Sequence, residues 1–147
     1  MSNERIILLV EDNPDDVELT KVSLARNNVA NKMVVAEDGE KALDYLLGTG
    51  KYAGQNHPLP TLVLLDLNLP KIEGLEVLQR IRSDERTKLL PVVILTSSKE
   101  QQDLIESYTL GANSYIRKPV DFDKFVSAIG TLNLYWLVLN EPPPLPP

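Results

Sequence analysis

Four polar clusters follow apolar runs along this chain, and each holds a residue type that does chemistry. Glu11-Asp12 follow residues 6–10 (IILLV), and Asp66-Leu67-Asn68 follow residues 62–65 (LVLL). Thr96-Ser97-Ser98 follow residues 92–95 (VVIL), and Arg117-Lys118-Pro119 follow residues 114–116 (SYI). A fifth run, residues 33–36, ends in Glu37-Asp38-Gly39, which reads as a turn into a helix. Brought to one place, the carboxylates of Glu11, Asp12 and Asp66 repel strongly unless a cation or a buried ammonium compensates them. Oxygen ligands without sulfur or imidazole select a hard cation, and Mg²⁺ is typical where waters and a phosphate complete the shell. Lys118 adds positive charge, and Thr96 adds a hydroxyl able to bond a phosphoryl oxygen. The chemistry best suited to the set is phosphoryl transfer onto a carboxylate, with cation and lysine neutralising the developing charge.

These residues meet only if the runs before them lie side by side as strands. The strongest runs are continuously apolar and branched, the habit of strands covered on both faces in a parallel sheet. Segments of helical period separate them. Asn13-Pro14-Asp15-Asp16 sets a cap before a first-turn proline and acids, opening a helix that turns Val17 and Leu24 inward and stops near Asn27-Asn28. Ala42, Leu43, Leu46 and Leu47 stripe a second helix ended by Gly48, and Leu75, Leu78 and Ile81 stripe a third. Ser97 and Glu100 form a capping box ahead of a fourth, striped by Leu104, Ile105, Tyr108 and Ala112. Phe122, Phe125, Val126, Ile129, Leu132 and Trp136 stripe a fifth that starts near Asp121. The alternation predicts an α/β fold, a doubly wound five-stranded parallel sheet with five helices. In the flavodoxin-like order 2-1-3-4-5, strands one and three flank the switch point where ligands bind.

Composition narrows the classes. The 147 residues carry a formal charge of −6, which argues against nonspecific nucleic-acid binding or an anionic membrane partner. Cysteine is absent and His57 is the lone histidine, which excludes thiolate chemistry, argues against a zinc site and leaves a serine-histidine hydrolase only His57 as its base; His57 itself is assigned no role. The run at residues 6–10 is too short for a signal core or a membrane span, which predicts a cytoplasmic protein. Taken singly, each site residue also has an ordinary explanation. Glu11 and Asp12 suit a helix N-terminus, Asp66 a solvated strand end, Thr96 a turn, Lys118 a solvated charge and Tyr115 a half-buried strand position. Gly39 and Gly74 read as helix-entry turn residues. Occurrence of the acids, the hydroxyl and the lysine at four strand ends on one edge is what joins them into a site.

The phrases LLVEDN, LLDLNLPKIEG, VVILTSS and IRKPVD also occur in the order and at the spacing of a known family. Over roughly residues 5–130 the chain resembles the receiver domain of two-component response regulators. That resemblance implies Asp66 as phospho-acceptor, Glu11 and Asp12 as the acidic pair with Asp12 the direct Mg²⁺ ligand, and Asn68 as a backbone-carbonyl ligand. It implies that Thr96 and Lys118 contact the phosphoryl group, that Pro119 holds the lysine's turn, and that Tyr115 is an aromatic switch partner of Thr96. Glu11 stands where many members have aspartate and Leu69 where methionine is common; neither change removes a required oxygen. The long connection over residues 48–61, the DLNLPK phrase and an extended aromatic C-terminal helix are similar to small regulators that serve cyanobacterial phytochrome kinases.

Other α/β classes fit less well. A haloacid-dehalogenase-like phosphatase needs a second aspartate where Asn68 stands, a flavodoxin needs a hydroxyl-rich loop where EDNPDD stands, and no P-loop motif is present. The expectation is therefore a receiver spanning residues 1–140, followed by a Pro-rich tail at 141–147. It is expected not to be an enzyme with its own substrate, but to accept phosphate from a sensor histidine kinase, a phytochrome, and to signal through its surface. The alternative is a docking module with a vestigial acidic site. Apolar character continues past the fifth helix through Leu134, Tyr135, Trp136, Leu137, Val138 and Leu139, more than one stripe can bury, which predicts a homodimer through that segment.

Overall fold

The computed structural model describes residues 5–27, 32–55, 58–118, 121–132, 134–136, 140–141 and 143–144. His57, Pro119 and residues 137–139 lie outside the described residues, as does the side chain of Phe122. Strands β1 (Ile6–Val10), β2 (Lys32–Ala36), β3 (Leu62–Leu65), β4 (Val92–Thr96) and β5 (Ser114–Arg117) pair in parallel in the order β2-β1-β3-β4-β5. Each matches the apolar run that predicted it to within one residue at either end. Helices α1 (Pro14–Arg26), α2 (Gly39–Leu47), α3 (Gly74–Ser83), α4 (Gln101–Thr109) and α5 (Phe122–Leu132) alternate with them. A short 3₁₀ turn, Gly50–Tyr52, folds the long α2–β3 connection.

The pleat divides each continuous apolar run between two cores. Leu8, Val10, Val63, Leu65 and Ile94 pack with Leu46, Leu78 and Ile81 on one side. Ile7, Leu9, Leu64, Val93 and Leu95 pack with Leu24, Phe125, Ile129 and Leu132 on the other. Burying each such side chain contributes about 1.5–3 kcal/mol, so the sheet is held from both faces. The predicted caps form at three helices. Asn13 accepts from the N–H groups of Asp15 (2.9 Å) and Asp16 (3.3 Å), and Asp121 accepts from those of Asp123 and Lys124. Gly48, in the left-handed conformation at φ 71°, closes α2.

Helix α4 departs from its predicted face. Ile105 and Tyr108 are 53% and 51% exposed, and the residue buried beneath the helix is Ser107. The first turn is tied by Ser98, not Ser97: the Ser98 hydroxyl accepts from the Glu100 N–H and donates to Asp103 Oδ2 at 2.6 Å. With Asp103 fixed inward, the face of Asp103, Leu104, Ser107 and Leu110 meets the sheet, and the apolar stripe rotates toward solvent. Ala112 is buried, but beyond the helix end.

A feature with no sequence signature closes the other edge of the sheet. Arg82, in the last turn of α3, reaches the carbonyls of Gly111 (2.8 and 3.0 Å), Leu90 (2.8 Å) and Lys88 (3.1 Å). It also donates to the Asn113 side chain at 2.9 Å, whose same oxygen receives the Val92 N–H. One guanidinium thus joins α3, the entry to β4 and the α4–β5 turn.

Candidate functional site

The backbone sets the site residues before any side chain acts. Glu11, Asp66 and Lys118 each stand one position past a strand, yet their N–H groups still reach the neighbouring strand: Glu11 to Ala36 O (3.0 Å), Asp66 to Val10 O (3.1 Å) and Lys118 to Thr96 O (2.8 Å). The β3–α3 loop is clamped from two sides. A Cβ on Gly74 would lie 2.3 Å from the Asp66 carbonyl oxygen, and one on Gly39 would lie 2.1 Å from that of Ile72. Each glycine is the first residue of its helix, as expected, and the position demands glycine for close backbone approach, since neither adopts positive φ. Lys71, at φ 68°, is the one non-glycine residue with positive φ among the described residues, and its ammonium lies 3.8 Å from buried Asp38.

The predicted acids converge. Glu11, Asp12 and Asp66 each offer a carboxylate oxygen, all within 4.8 Å of one another. Glu11 and Asp66 are 3% and 5% exposed, while Asp12 faces solvent. Lys118 Nζ binds Glu11 Oε1 at 2.5 Å, Asp16 Oδ2 at 2.8 Å and Asp66 Oδ2 at 3.1 Å. The other Asp66 oxygen accepts from the Asn68 N–H at 3.3 Å. Burial pushes the Glu11 carboxyl up to about 7 against its bond to Lys118, with the nearby Asp66 charge adding to the rise. Burial works to lower the Lys118 ammonium, but bonds to Asp16 and Glu11 and the Asp66 charge outweigh it and hold the group above its ordinary value. A buried carboxyl that resists ionising beside two further carboxylates fits an oxygen-seeking divalent cation, which would relieve both the repulsion and the burial cost. The group opens on a groove of about 440 Å³ lined by Glu11, Asp12, Pro14, Val17, Glu18 and Lys21.

The remaining predicted residues are placed around this centre. Thr96 ends β4 fully buried, its Oγ1 accepting from the Ser98 N–H at 3.2 Å; among the described residues no hydrogen bond joins it to Asp66. Asn68 is exposed at the mouth of a second cleft of about 400 Å³ that Ser97 and Ser98 also line. Tyr115 is half-buried against the core, and its hydroxyl is buried without a hydrogen-bond partner among the described residues. Trp136, expected to supply a contact between copies, packs in part against its own core, whereas Leu134 and Tyr135 are 54% and 50% exposed. Sequence reasoning missed Asp16, reading it only as a first-turn acid. The available signal was its position one turn before Thr20 on the inward stripe of α1, where an acid needs a partner.

A five-stranded parallel sheet with carboxylates and one lysine gathered beyond its carboxyl edge defines a receiver domain, and the chain belongs to the response regulator receiver domain family, which it matches over residues 7–130. It is similar to response regulator Rcp1 of Synechocystis sp., 37% identical over 90% of this chain and 89% of that protein. The crystal structure of the Mn²⁺-bound form of Rcp1 superposes with a TM-score of 0.87 at 36% identity, covering 95% of this chain and 99% of that one. The phosphorylated cyanobacterial phytochrome response regulator RcpA superposes at 0.88 with 38% identity over 96% and 99% of the two chains. A probable methanogenesis regulatory protein of Methanothrix harundinacea, FilR2, is 40% identical over 94% of this chain and 87% of its own. Among the described residues no helix is long and apolar enough to cross a membrane.

Proposed function

We propose that the chain is a phospho-accepting response regulator whose acceptor is Asp66 and whose donor is the phosphohistidine of a sensor kinase. The observation that carries this reading is the Lys118 ammonium, which bridges buried Glu11 and Asp66 beside a third carboxylate, Asp12. In the transfer, an Asp66 oxygen forms a bond to phosphorus as the donor's P–N bond breaks, and the leaving imidazole keeps the electron pair and is protonated. Glu11, Asp12, Asp66 and the Asn68 carbonyl would hold Mg²⁺, which supplies charge neutralisation on the phosphoryl oxygens. Lys118 adds a fixed positive charge on the same oxygens.

Signalling follows from the new acceptor oxygens on Asp66. Thr96 turns its hydroxyl from the Ser98 N–H to them, and Tyr115 moves into the space vacated. The partnerless Tyr115 hydroxyl supports this, since an unmet buried polar group costs about 1–3 kcal/mol and gains by moving to a partner. The likeness to RcpA, a cyanobacterial phytochrome response regulator, supports a phytochrome as the kinase. The exposed Leu134 and Tyr135 support a homodimer through the segment after α5. Sedimentation at micromolar concentration should then show twice the chain mass, and truncation after Leu132 should give a monomer.

Treatment with phosphoramidate and Mg²⁺, followed by mass spectrometry, should place one phosphate on the wild type and none on Asp66→Ala. A mutant labelled to the wild-type level sinks the assignment, and an unlabelled wild type leaves the docking module with a vestigial site.

A further inference from the structure

Lys118 Nζ touches three carboxylates, but only two of them belong to the Glu11, Asp12 and Asp66 group. Glu11 and Asp66 are thus wanted twice, by the ammonium and by the divalent ion of the reading above, and two cations on the same oxygens repel. Asp16 stands outside that conflict. Its carboxylate is 31% exposed, 2.8 Å from Nζ, and aimed at the lysine from the first turn of α1. That turn is fixed locally: Asn13 takes the Asp16 N–H, and the Asp16 carbonyl accepts the Thr20 hydroxyl at 2.8 Å. Asp15, its neighbour on the same turn, is exposed.

We propose that Asp16 is a positioning residue that retains the Lys118 ammonium when Glu11 and Asp66 are given over to a divalent ion. The lysine then shifts its weight from three carboxylates to one, staying within reach of Asp66 without competing for the ion's ligands. Without Asp16 the ammonium has no other carboxylate among the described residues, so it holds Glu11 and Asp66 more tightly against the ion. This inference rests on the phospho-acceptor reading for its use, but its first test needs no phosphoryl group.

Titration of the full chain with Mg²⁺ by calorimetry should show Asp16→Asn weakening the ion by about fivefold or more. Asp15→Asn, which removes the same charge from the same turn, should change it by less than about twofold. Asp16→Glu should recover most of the loss. In a Lys118→Met background, Asp16→Asn should act no more strongly than Asp15→Asn, because the lysine it positions is gone. Phosphoramidate labelling of Asp16→Asn should need more Mg²⁺ and stay below the wild-type rate at saturation, because the displaced ammonium has lost its anchor. Equal effects of Asp15→Asn and Asp16→Asn, or an Asp16→Asn effect that survives in Lys118→Met, would overturn the assignment. Asp16-dependent Mg²⁺ binding in a wild type that never takes the label would support it while ending the phospho-acceptor reading.

Discussion

Lys118 lies at one edge of the sheet among the carboxylates of Glu11, Asp16 and Asp66, and Arg82 lies at the opposite edge among three backbone carbonyls and the Asn113 amide. Lys118 is largely buried and Arg82 half-buried, and their partners differ in kind. Carboxylates carry charge that any other cation can also satisfy, so the Lys118 cluster can exchange one positive group for another. Carbonyls carry none to trade, and the rigid fork of the guanidinium matches their fixed positions. Burial lowers the Arg82 group from its usual value, but an arginine keeps its proton regardless. The first arrangement is built to be re-partnered and the second to stay. On the proposed function, signalling chemistry and bracing are thus separated by the length of the strands.

The sharpest way to break this contrast is to delete each cation and offer Mg²⁺. Lys118→Met leaves Glu11 and Asp66 buried without their ammonium, which should cost about 3 kcal/mol at pH 8. Urea titration should show much of that loss recovered in millimolar Mg²⁺, while labelling from phosphoramidate falls about a hundredfold. Arg82→Met should cost about 2 kcal/mol through the carbonyls it leaves to water, with no recovery in Mg²⁺ and a wild-type labelling rate. Recovery of Arg82→Met by Mg²⁺ would mean that the two edges are not independent.

Glu11 sharpens the comparison through pH. Its folded value of about 7 lies above the ordinary 4.5, so the folded state favours the protonated form. Its contribution is therefore fully present below about pH 4.5 and is lost as pH rises through 7. Glu11→Gln should remove this slope, and the mutant should gain on the order of 1–2 kcal/mol over wild type between pH 5 and pH 8 in melts without Mg²⁺. A third cation, Lys71, gives the smallest effect. Its pair with Asp38 is long and its side chain 57% exposed, so Lys71→Gly should lose almost nothing there. Relief of the positive φ should leave the variant about 0.5 kcal/mol more stable by urea titration.

The sheet was legible because burial on both faces writes itself into a strand as an unbroken apolar run, and the strand ends therefore pointed to Glu11, Asp66, Thr96 and Lys118. The face of α4 was not. Its apolar stripe is real, but Asp103, held by Ser98, and the small Ser107 decide which side meets the sheet. Arg82 left no trace because its partners are carbonyls, which every residue has. Asp16 was visible as an acid but not as a partner, because the ammonium it meets is 102 positions along the chain. Gly39 and Gly74 were legible as helix-entry residues, but spacing does not reveal how closely two backbones cross there.

The backbone bonds from Glu11, Asp66 and Lys118 to the strands beside them make the site the last rung of the sheet's own ladder. Insertions and deletions should therefore be tolerated very unevenly. Segments between the last rung and the next strand, such as the α2–β3 connection, can lengthen or shorten without moving a carboxylate. One residue added inside β1 or β3 would carry its acid to the opposite face of the sheet. A library of single-residue insertions should leave gaps in labelling at the strands and little change in the long connection, so that the tolerated length of each segment is set by whether it lies before or after the rung.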